Sequence, residues 1–160
     1  MKEEMVRIAG WAAERGDCAL VTLGLGSCVA IMLHDPVIGA GAMAHVLLPS
    51  LRLARDTTNP AKFPETAVPF LIDKLRALGA EPRRLVAKIA GGASMFAQLL
   101  TPSTIQMGER NILAARAALR GAAIPLAGEA VGGEIGRSVR FTVVDGRVEI
   151  RSVGHDAYLI

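Results

Sequence analysis

Two apolar runs of strand length in the first third of the chain limit what it can fold into. They span residues 28–34 and 41–48, and the six residues between them begin with Asp35-Pro36 and include Gly39. Asp, Pro and Gly are the residues that tight turns prefer. The pattern therefore predicts a β-hairpin, and the fold must be built around it.

Further strands and a second hairpin are indicated by the same signals. Short apolar runs at 19–23 and 84–91 are bounded by Gly, Pro or Asp, as strands usually are. Near the C-terminus, two alternating runs within 138–153 flank Asp145-Gly146, a dipeptide that suits a type I′ turn. We therefore expect a hairpin there as well.

Helical spacing of apolar residues occurs in two segments between these strands. It predicts helices from about Thr66 to Leu78 and from about Glu109 to Leu119. Mixed strands and helices with clear hairpins favour an α+β layered domain over a doubly wound parallel sheet. At 160 residues with 51% apolar content, we expect one domain over residues 1–160.

Composition excludes several function classes. The net charge of +3 is spread along the chain, with no basic run longer than Arg83-Arg84, so nucleic acid is not an expected partner. The N-terminus lacks the pattern of a signal peptide, and no window resembles a membrane span. We expect a cytoplasmic protein without membrane insertion. Cys18 and Cys28 are expected as free thiols, and no metal-ligand spacing is present.

The glycine-rich segment Gly24-Leu25-Gly26-Ser27-Cys28-Val29 admits two interpretations. It has two glycines of a dinucleotide fingerprint, but Val29 occupies the third small position and the continuation is strand-like, so no nucleotide cofactor is expected. The alternative is a sharp bend that presents backbone N–H groups of Gly26, Ser27 and Cys28 as an oxyanion hole.

Cys28 and His45 lie on the two runs of the first hairpin, and the turn determines how they meet. If Asp35 pairs with Ile38, paired residue numbers sum to 73 and Cys28 lies directly opposite His45. If Asp35 pairs with Ala40, the sum is 75 and the two are diagonal neighbours on one face. An even sum would place them on opposite faces. The turn sequence leaves this parity open.

Ordinary core roles compete with a nucleophile–base pair at these positions. Cysteine is among the residues most often buried, and His45 in an apolar strand is also consistent with a core histidine. Cys18 has no neighbouring base in the sequence and is expected to be incidental. His34 and His155 lie beside turns, where we expect solvated side chains without function.

The same residues resemble the chemoreceptor glutamine deamidases of bacterial and archaeal chemotaxis, the CheD family. The resemblance continues in Lys62-Phe63 with Thr66-Ala67, in the run 88–96 and in Gly108-Glu109-Arg110-Asn111, and so covers nearly the whole chain. The hairpin part of the family pattern is found at Thr22, Gly24 to Val29, Asp35-Pro36, His45 and Leu48-Pro49.

The resemblance implies roles for three residues and a fold. Cys28 is expected as the nucleophile, His45 as general base and acid, and Thr22 as the residue that orients the histidine, through its hydroxyl or its backbone. The implied fold is a layered α/β/β/α sandwich with mixed, largely antiparallel sheets and two to three outer helices. The implied reaction converts receptor glutamine to glutamate through a thioester, with methyl-ester hydrolysis as a possible side reaction.

The remaining expectations concern partners and weaker positions. Methyl-accepting chemoreceptors are the expected partners, with a CheC-type phosphatase as a further one. An adaptor that binds these proteins with little catalysis is the alternative, and a hydrolase acting on a small amide is disfavoured. Ser94, Met95 and Phe96 are expected either to form a tight turn near the site or to contact substrate or partner. Arg110-Asn111 at a helix start is open between a solvated and a structural role.

Overall fold

The computed structural model describes residues 1–95 and 106–160. These ranges contain ten strands, two α-helices and three short 3₁₀ turns. The strands are β1 (Lys2–Met5), β2 (Trp11–Arg15), β3 (Cys18–Leu25), β4 (Val29–Asp35), β5 (Ala40–Val46), β6 (Val86–Gly91), β7 (Leu126–Val131), β8 (Arg137–Thr142), β9 (Arg147–Arg151) and β10 (Tyr158–Leu159). The helices are α1 (Pro64–Ala77) and α2 (Met107–Gly121), and the 3₁₀ turns are Leu51–Leu53, Pro60–Lys62 and Pro82–Arg84.

The strands form two five-stranded sheets. One has the order β1-β3-β8-β9-β10, and the other has the order β2-β5-β4-β6-β7. Strand β1 is parallel to β3 and β6 is parallel to β7, whereas all other neighbouring pairs are antiparallel. The expectation of mixed, largely antiparallel sheets is confirmed.

Alternation along the central hairpin creates two apolar cores. Val29, Ile31 and Leu33 of β4 face α1 and α2. Ala30 and Met32 face the opposite way, against Leu20 and Phe141 of the first sheet. This period-two alternation, buried on both faces, is what a strand between two layers requires.

The architecture is therefore the expected α+β sandwich, with its two sheets stacked face to face. Within residues 1–95 and 106–160, both helices lie on the outer face of the β2-β5-β4-β6-β7 sheet. The layer order in those ranges is thus α/β/β, one helix layer fewer than the implied α/β/β/α order, because both helices pack on the same sheet. Neither of these helices is long and apolar enough to cross a membrane.

The first hairpin forms as predicted, in the second of the two registers. Asp35 pairs with Ala40 and Ala30 pairs with His45, so that paired numbers sum to 75. Cys28 immediately precedes β4, and extending the register by one residue places it opposite Leu47. Cys28 and His45 are thus diagonal neighbours on the face that meets the other sheet.

Two expectations about turns are wrong in detail. The C-terminal hairpin forms, but Thr142 pairs with Arg147, so its loop has four residues and is not a two-residue type I′ turn. Val143, the first loop residue, donates its N–H to the carbonyl of Cys18 on β3. His34 is buried rather than solvated, because this same loop covers it and the carbonyl of Val143 lies 2.8 Å from its Nε2.

Candidate active site

Thr22 and His45 meet across the interface between the two sheets. Thr22 lies on β3 of one sheet and His45 on β5 of the other, and both are 1% exposed. The Thr22 hydroxyl oxygen is 2.7 Å from His45 Nδ1. The same hydroxyl donates to the backbone carbonyl of Val6 at 2.6 Å.

This arrangement determines which nitrogen of His45 carries the proton. A hydroxyl has one hydrogen, and a carbonyl oxygen only accepts, so the hydrogen of Thr22 is directed at Val6. The hydroxyl therefore offers a lone pair to His45, and Nδ1 must be the donor. In the neutral ring, Nε2 is then the unprotonated nitrogen.

His45 Nε2 is buried and has no hydrogen-bond partner among the described residues. Burial disfavours the charged imidazolium and lowers the pKa of His45 below its ordinary value, an effect that the Val6 carbonyl partly opposes. The histidine is thus neutral near pH 7. It holds an available lone pair in a water-poor site, as a general base requires.

Cys28 lies on the same face, two positions along the ladder from Ala30, the residue opposite His45. Its side chain belongs to the core between the sheets and is 8% exposed. Burial raises the pKa of the Cys28 thiol, and its own backbone N–H only partly offsets that. Burial therefore favours the uncharged form of both the Cys28 thiol and the His45 imidazole, and no hydrogen bond joins Cys28 Sγ to His45 Nε2 in the structure.

Backbone hydrogen bonds hold the turn that carries Cys28. The carbonyl of Gly26 accepts from the N–H of Ala93, and the carbonyl of Cys28 accepts from the N–H of Gly92, both at 2.8 Å. In the described part of the chain, no hydrogen-bond acceptor is found for the N–H groups of Ser27 and Cys28 apart from the Cys28 sulfur itself. These are two of the three backbone donors that the sequence suggested for an oxyanion hole, the third being that of Gly26.

A surface cleft of about 480 Å³ reaches His45 and Thr22. Its mouth is apolar, because Met5, Ile8 and Leu23 are 42%, 63% and 59% exposed. The full lining is Met5, Val6, Arg7, Ile8, Thr22, Leu23 and His45.

Of the positions predicted with less support, Ser94, Met95 and Arg110 lie in different surroundings. Ser94 donates its backbone N–H to the carbonyl of Gly133, a residue distant in sequence, and this contact does not decide between the turn role and the substrate or partner role. Met95 is exposed and lies beside the nucleophile turn, since a β-carbon at Gly26 would be 3.2 Å from its sulfur. Phe96 lies outside the described residues. The side chain of Arg110 is half-buried and makes no hydrogen bond or ion pair within residues 1–95 and 106–160.

Asn111 is the residue near the site whose contacts sequence reasoning missed. It is fully buried, and its Nδ2 donates to the carbonyls of Ser27 at 2.8 Å and of Leu47 at 3.1 Å. An asparagine on the apolar face of a predicted helix was the only signal. Its two partners are 84 and 64 residues away in sequence.

Cys18 and His155 lie away from this arrangement. Cys18 is buried in the core between the sheets and His155 is exposed. Glu4, Glu14 and Cys18 bring three potential metal-ligand atoms within 4.8 Å of one another. The ammonium of Lys2 lies 2.6 Å from Glu14, so an ion pair already accounts for this cluster.

Comparison with known proteins identifies relatives along most of the chain. The profile of the family described as CheD chemotactic sensory transduction matches residues 47–152. Thr22, Cys28 and His45 lie outside that range, so this match says nothing about the three site residues.

Whole-chain relatives extend the match. The chain is 41% identical to the chemoreceptor glutamine deamidase CheD of Thermotoga maritima, over 95% of this chain and 93% of that protein. It is 42% identical to a probable chemoreceptor glutamine deamidase CheD of Clostridium kluyveri, over 96% and 95%. A third relative of the same description, from Caldanaerobacter subterraneus, is 39% identical over 85% and 84%. The chain belongs to the CheD family.

Proposed function

We propose that this protein deamidates glutamine side chains of chemoreceptors to glutamate, with Cys28 as nucleophile and His45 as general base and acid. The observation that carries the proposal is the hydrogen-bond chain from His45 Nδ1 through Thr22 to Val6. It leaves the lone pair of Nε2 without a partner among the described residues, and Cys28 lies on the same face of the sheet as His45. The names of the CheD relatives supply the reaction and the substrate class.

The first half of the reaction breaks the carboxamide. As the Cys28 sulfur attacks the carbonyl carbon, its proton moves to His45 Nε2 and a sulfur–carbon bond forms. The negative charge on the oxygen is stabilised by the backbone N–H groups of the turn, with Gly26, Ser27 and Cys28 as candidates. The imidazolium then protonates the nitrogen, the carbon–nitrogen bond breaks and ammonia leaves.

The second half restores the thiol. Water gives a proton to neutral His45 as its oxygen attacks the thioester carbon. The sulfur leaves, takes the proton back from His45, and glutamate is released. In the free enzyme both Cys28 and His45 are uncharged in this scheme. This agrees with burial that raises the pKa of the Cys28 thiol and lowers the pKa of His45.

Thr22 is proposed as a positioning residue. Its hydroxyl accepts from Nδ1–H and is itself held by Val6, so it selects the tautomer in which Nε2 is the base. The mechanism needs no metal or cofactor.

The cleft beside Thr22 and His45 supports a polypeptide substrate, although Cys28 is not among its lining residues. Its rim is formed by apolar side chains of Met5, Ile8 and Leu23, and Arg7 is the one charged residue that lines it. A small charged amide would need several fixed polar groups to bind. An apolar rim instead fits the side chains that flank a glutamine on a protein surface.

The test is intact-mass analysis of a chemoreceptor co-expressed with this protein. Each deamidation replaces NH₂ by OH and adds about 1 Da. We expect the mass increase with the wild type and with Cys18→Ala, and none with Cys28→Ala. Cys18→Ala is the matched control, because both variants remove a buried thiol. Full modification by Cys28→Ala would eliminate the nucleophile assignment, and receptor binding without any mass change by the wild type would favour an adaptor.

A further inference from the structure

Asn111 reaches the nucleophile turn from α2 and has no role in the reaction as described above. Both groups that it contacts, the carbonyls of Ser27 and Leu47, only accept hydrogen bonds. The orientation of its amide is therefore determined, with the NH₂ group toward them. Its Oδ1 is buried and has no partner within the described ranges, so the contacts of Asn111 are made by its NH₂ group alone.

Close packing of α2 against the site makes this reach possible. A β-carbon at Gly108, in the first turn of α2, would lie 2.5 Å from the carbonyl oxygen of Gly92. A β-carbon at Gly91 would overlap the carbonyl oxygen of Cys28. Glycine at 108 lets α2 approach the backbone of Gly92 and Ala93, and glycine at 91 lets that segment approach the carbonyl of Cys28. Asn111, one helical turn after Gly108, then spans the remaining distance.

The contact at Ser27 controls the direction of the Cys28 N–H. The carbonyl of Ser27 and the N–H of Cys28 belong to one planar peptide unit, and in a trans peptide they point to opposite sides. A donor that holds the carbonyl on the α2 side therefore turns the N–H away from α2. The two adjacent peptide units are held by backbone donors, Ala93 on Gly26 and Gly92 on Cys28. The Ser27–Cys28 unit is the one held by a side chain.

We propose that Asn111 is a positioning residue for the oxyanion, because it orients the peptide whose N–H stabilises the negative oxygen of the tetrahedral intermediate. The inference rests on the proposed function and adds a residue on α2 to a site otherwise built from the strands and the turn. Oxyanion donors act through their preorganised direction. A peptide free to rotate would lose that effect even with Cys28 and His45 in place.

Two reactions of the same thiol separate this role from a general structural one. Alkylation of Cys28 by iodoacetamide displaces iodide from a saturated carbon and creates no oxyanion, so it depends on Cys28 and its base. Deamidation needs the same pair and the oxyanion donors. For Asn111→Ala, we expect kcat for deamidation of a purified chemoreceptor to fall by about 10- to 1,000-fold. KM and the Cys28 alkylation rate should stay within about threefold of wild type.

Leu119→Ala is the matched control on the same helix. Leu119 is buried in the core between α2 and the sheet, so its truncation lowers stability without altering a contact of the turn. We expect both rates of the folded Leu119→Ala protein to match wild type. Asn111→Ser, whose hydroxyl is too short to reach both carbonyls, is the second variant, and the same selective loss is expected.

The outcomes decide between the roles. Parallel loss of deamidation and alkylation in the Asn111 variants would overturn the inference and assign Asn111 to general support of the site. Unchanged deamidation would overturn it as well. Should Asn111→Ala fail to fold, the same two rates of Asn111→Ser decide. Failure of the proposed function would look different, as deamidation absent from the wild type or persisting in Cys28→Ala.

Discussion

The two ends of the β4–β5 hairpin bury polar groups in opposite ways. At the turn end, the Asp35 carboxylate is fully buried and accepts from the guanidinium of Arg84 and from the backbone N–H groups of Val37 and Glu81. At the open end, His45 Nε2 and Asn111 Oδ1 are buried without partners in the described part of the chain.

The contrast separates a stabilising polar cluster at the turn end from a reactive group at the open end of the same hairpin. Burial alone would raise the pKa of Asp35, but Arg84 and the two N–H groups more than offset it and hold the pKa below its usual value. That carboxylate is fully satisfied and stabilises the fold. The unpaired His45 Nε2 and Asn111 Oδ1 at the open end cost stability, and for Nε2 such a cost is expected because its free lone pair is needed for the reaction.

The two buried histidines show the same contrast. Burial lowers the pKa of both His34 and His45. His34 directs Nε2 at the carbonyl of Val143, so Nε2 must carry its proton. His45 directs Nδ1 at the Thr22 hydroxyl, so Nδ1 carries its proton. The two rings are therefore expected as opposite tautomers, and only His45 keeps Nε2 as a base.

Removal of the His45 imidazole should have the largest effect. His45→Ala is expected to lower kcat for deamidation by about 10²–10⁴-fold, because the thiol then loses its base. Alkylation of Cys28 by iodoacetamide near pH 7 should slow as well, since a buried thiol is poorly ionised without help. A quenched time course of alkylation, followed by peptide mass analysis, measures the rate at which Cys28 reacts. Equal alkylation rates in both proteins would reject the pair and favour two unconnected core residues.

Removal of the Thr22 hydroxyl should have the next largest effect. Thr22→Val keeps the shape but leaves His45 Nδ1–H without an acceptor, and we expect kcat to fall by roughly 10- to 100-fold. Thr22→Ser keeps the hydroxyl and should retain most activity. The comparison of kcat for these two variants is the measurement. Full activity of Thr22→Val would mean that the hydroxyl does not orient the ring.

Disruption of the turn end should affect stability and not chemistry. Asp35→Ala leaves the N–H groups of Val37 and Glu81 unpaired, and we expect the free energy of unfolding to fall by about 1–3 kcal/mol. Urea unfolding measures this loss. Deamidation per folded molecule should stay close to wild type. A loss of kcat without a loss of stability would contradict the division between the two ends.

Acidification should show the smallest effect. A histidine whose pKa is lowered by folding binds a proton more readily in the unfolded chain, so stability falls as pH drops below about 6.5, by up to about 1.4 kcal/mol per pH unit for each ring. His34→Gln removes one of the two rings. We expect a shallower decline of the unfolding free energy between pH 6.5 and 5.5 than in wild type. Identical slopes would mean that His34 is not held neutral.

Local sequence patterns predict the centre of this fold well. The apolar runs and the Asp35-Pro36 turn predicted the β4–β5 hairpin, and one of the two odd registers considered is the one found. Both helices form within two residues of their predicted starts and ends. The roles of Thr22, Cys28 and His45 stay predictions, carried by the resemblance and supported by the geometry.

Elements that depend on distant partners were not predictable in this way. Strand β1 consists mostly of charged residues and forms by pairing with β3, and β2 has only three apolar residues before Glu14 and Arg15. His34 was expected in solvent because it adjoins a turn, yet the loop that buries it is 109 residues away. Asn111 likewise acquires its contacts only when α2 packs on the sheet.

The most direct test is the tautomer of each buried histidine, read from long-range ¹H–¹⁵N correlations of the imidazole rings in the ¹⁵N-labelled protein above pH 7. We predict that His45 carries its proton on Nδ1 and has an unprotonated Nε2, whereas His34 carries its proton on Nε2. In Thr22→Val, the preference of His45 for Nδ1–H should weaken while His34 is unchanged. A His45 ring protonated on Nε2 in the wild type would contradict the account, because the nitrogen that must accept the Cys28 proton would already hold one.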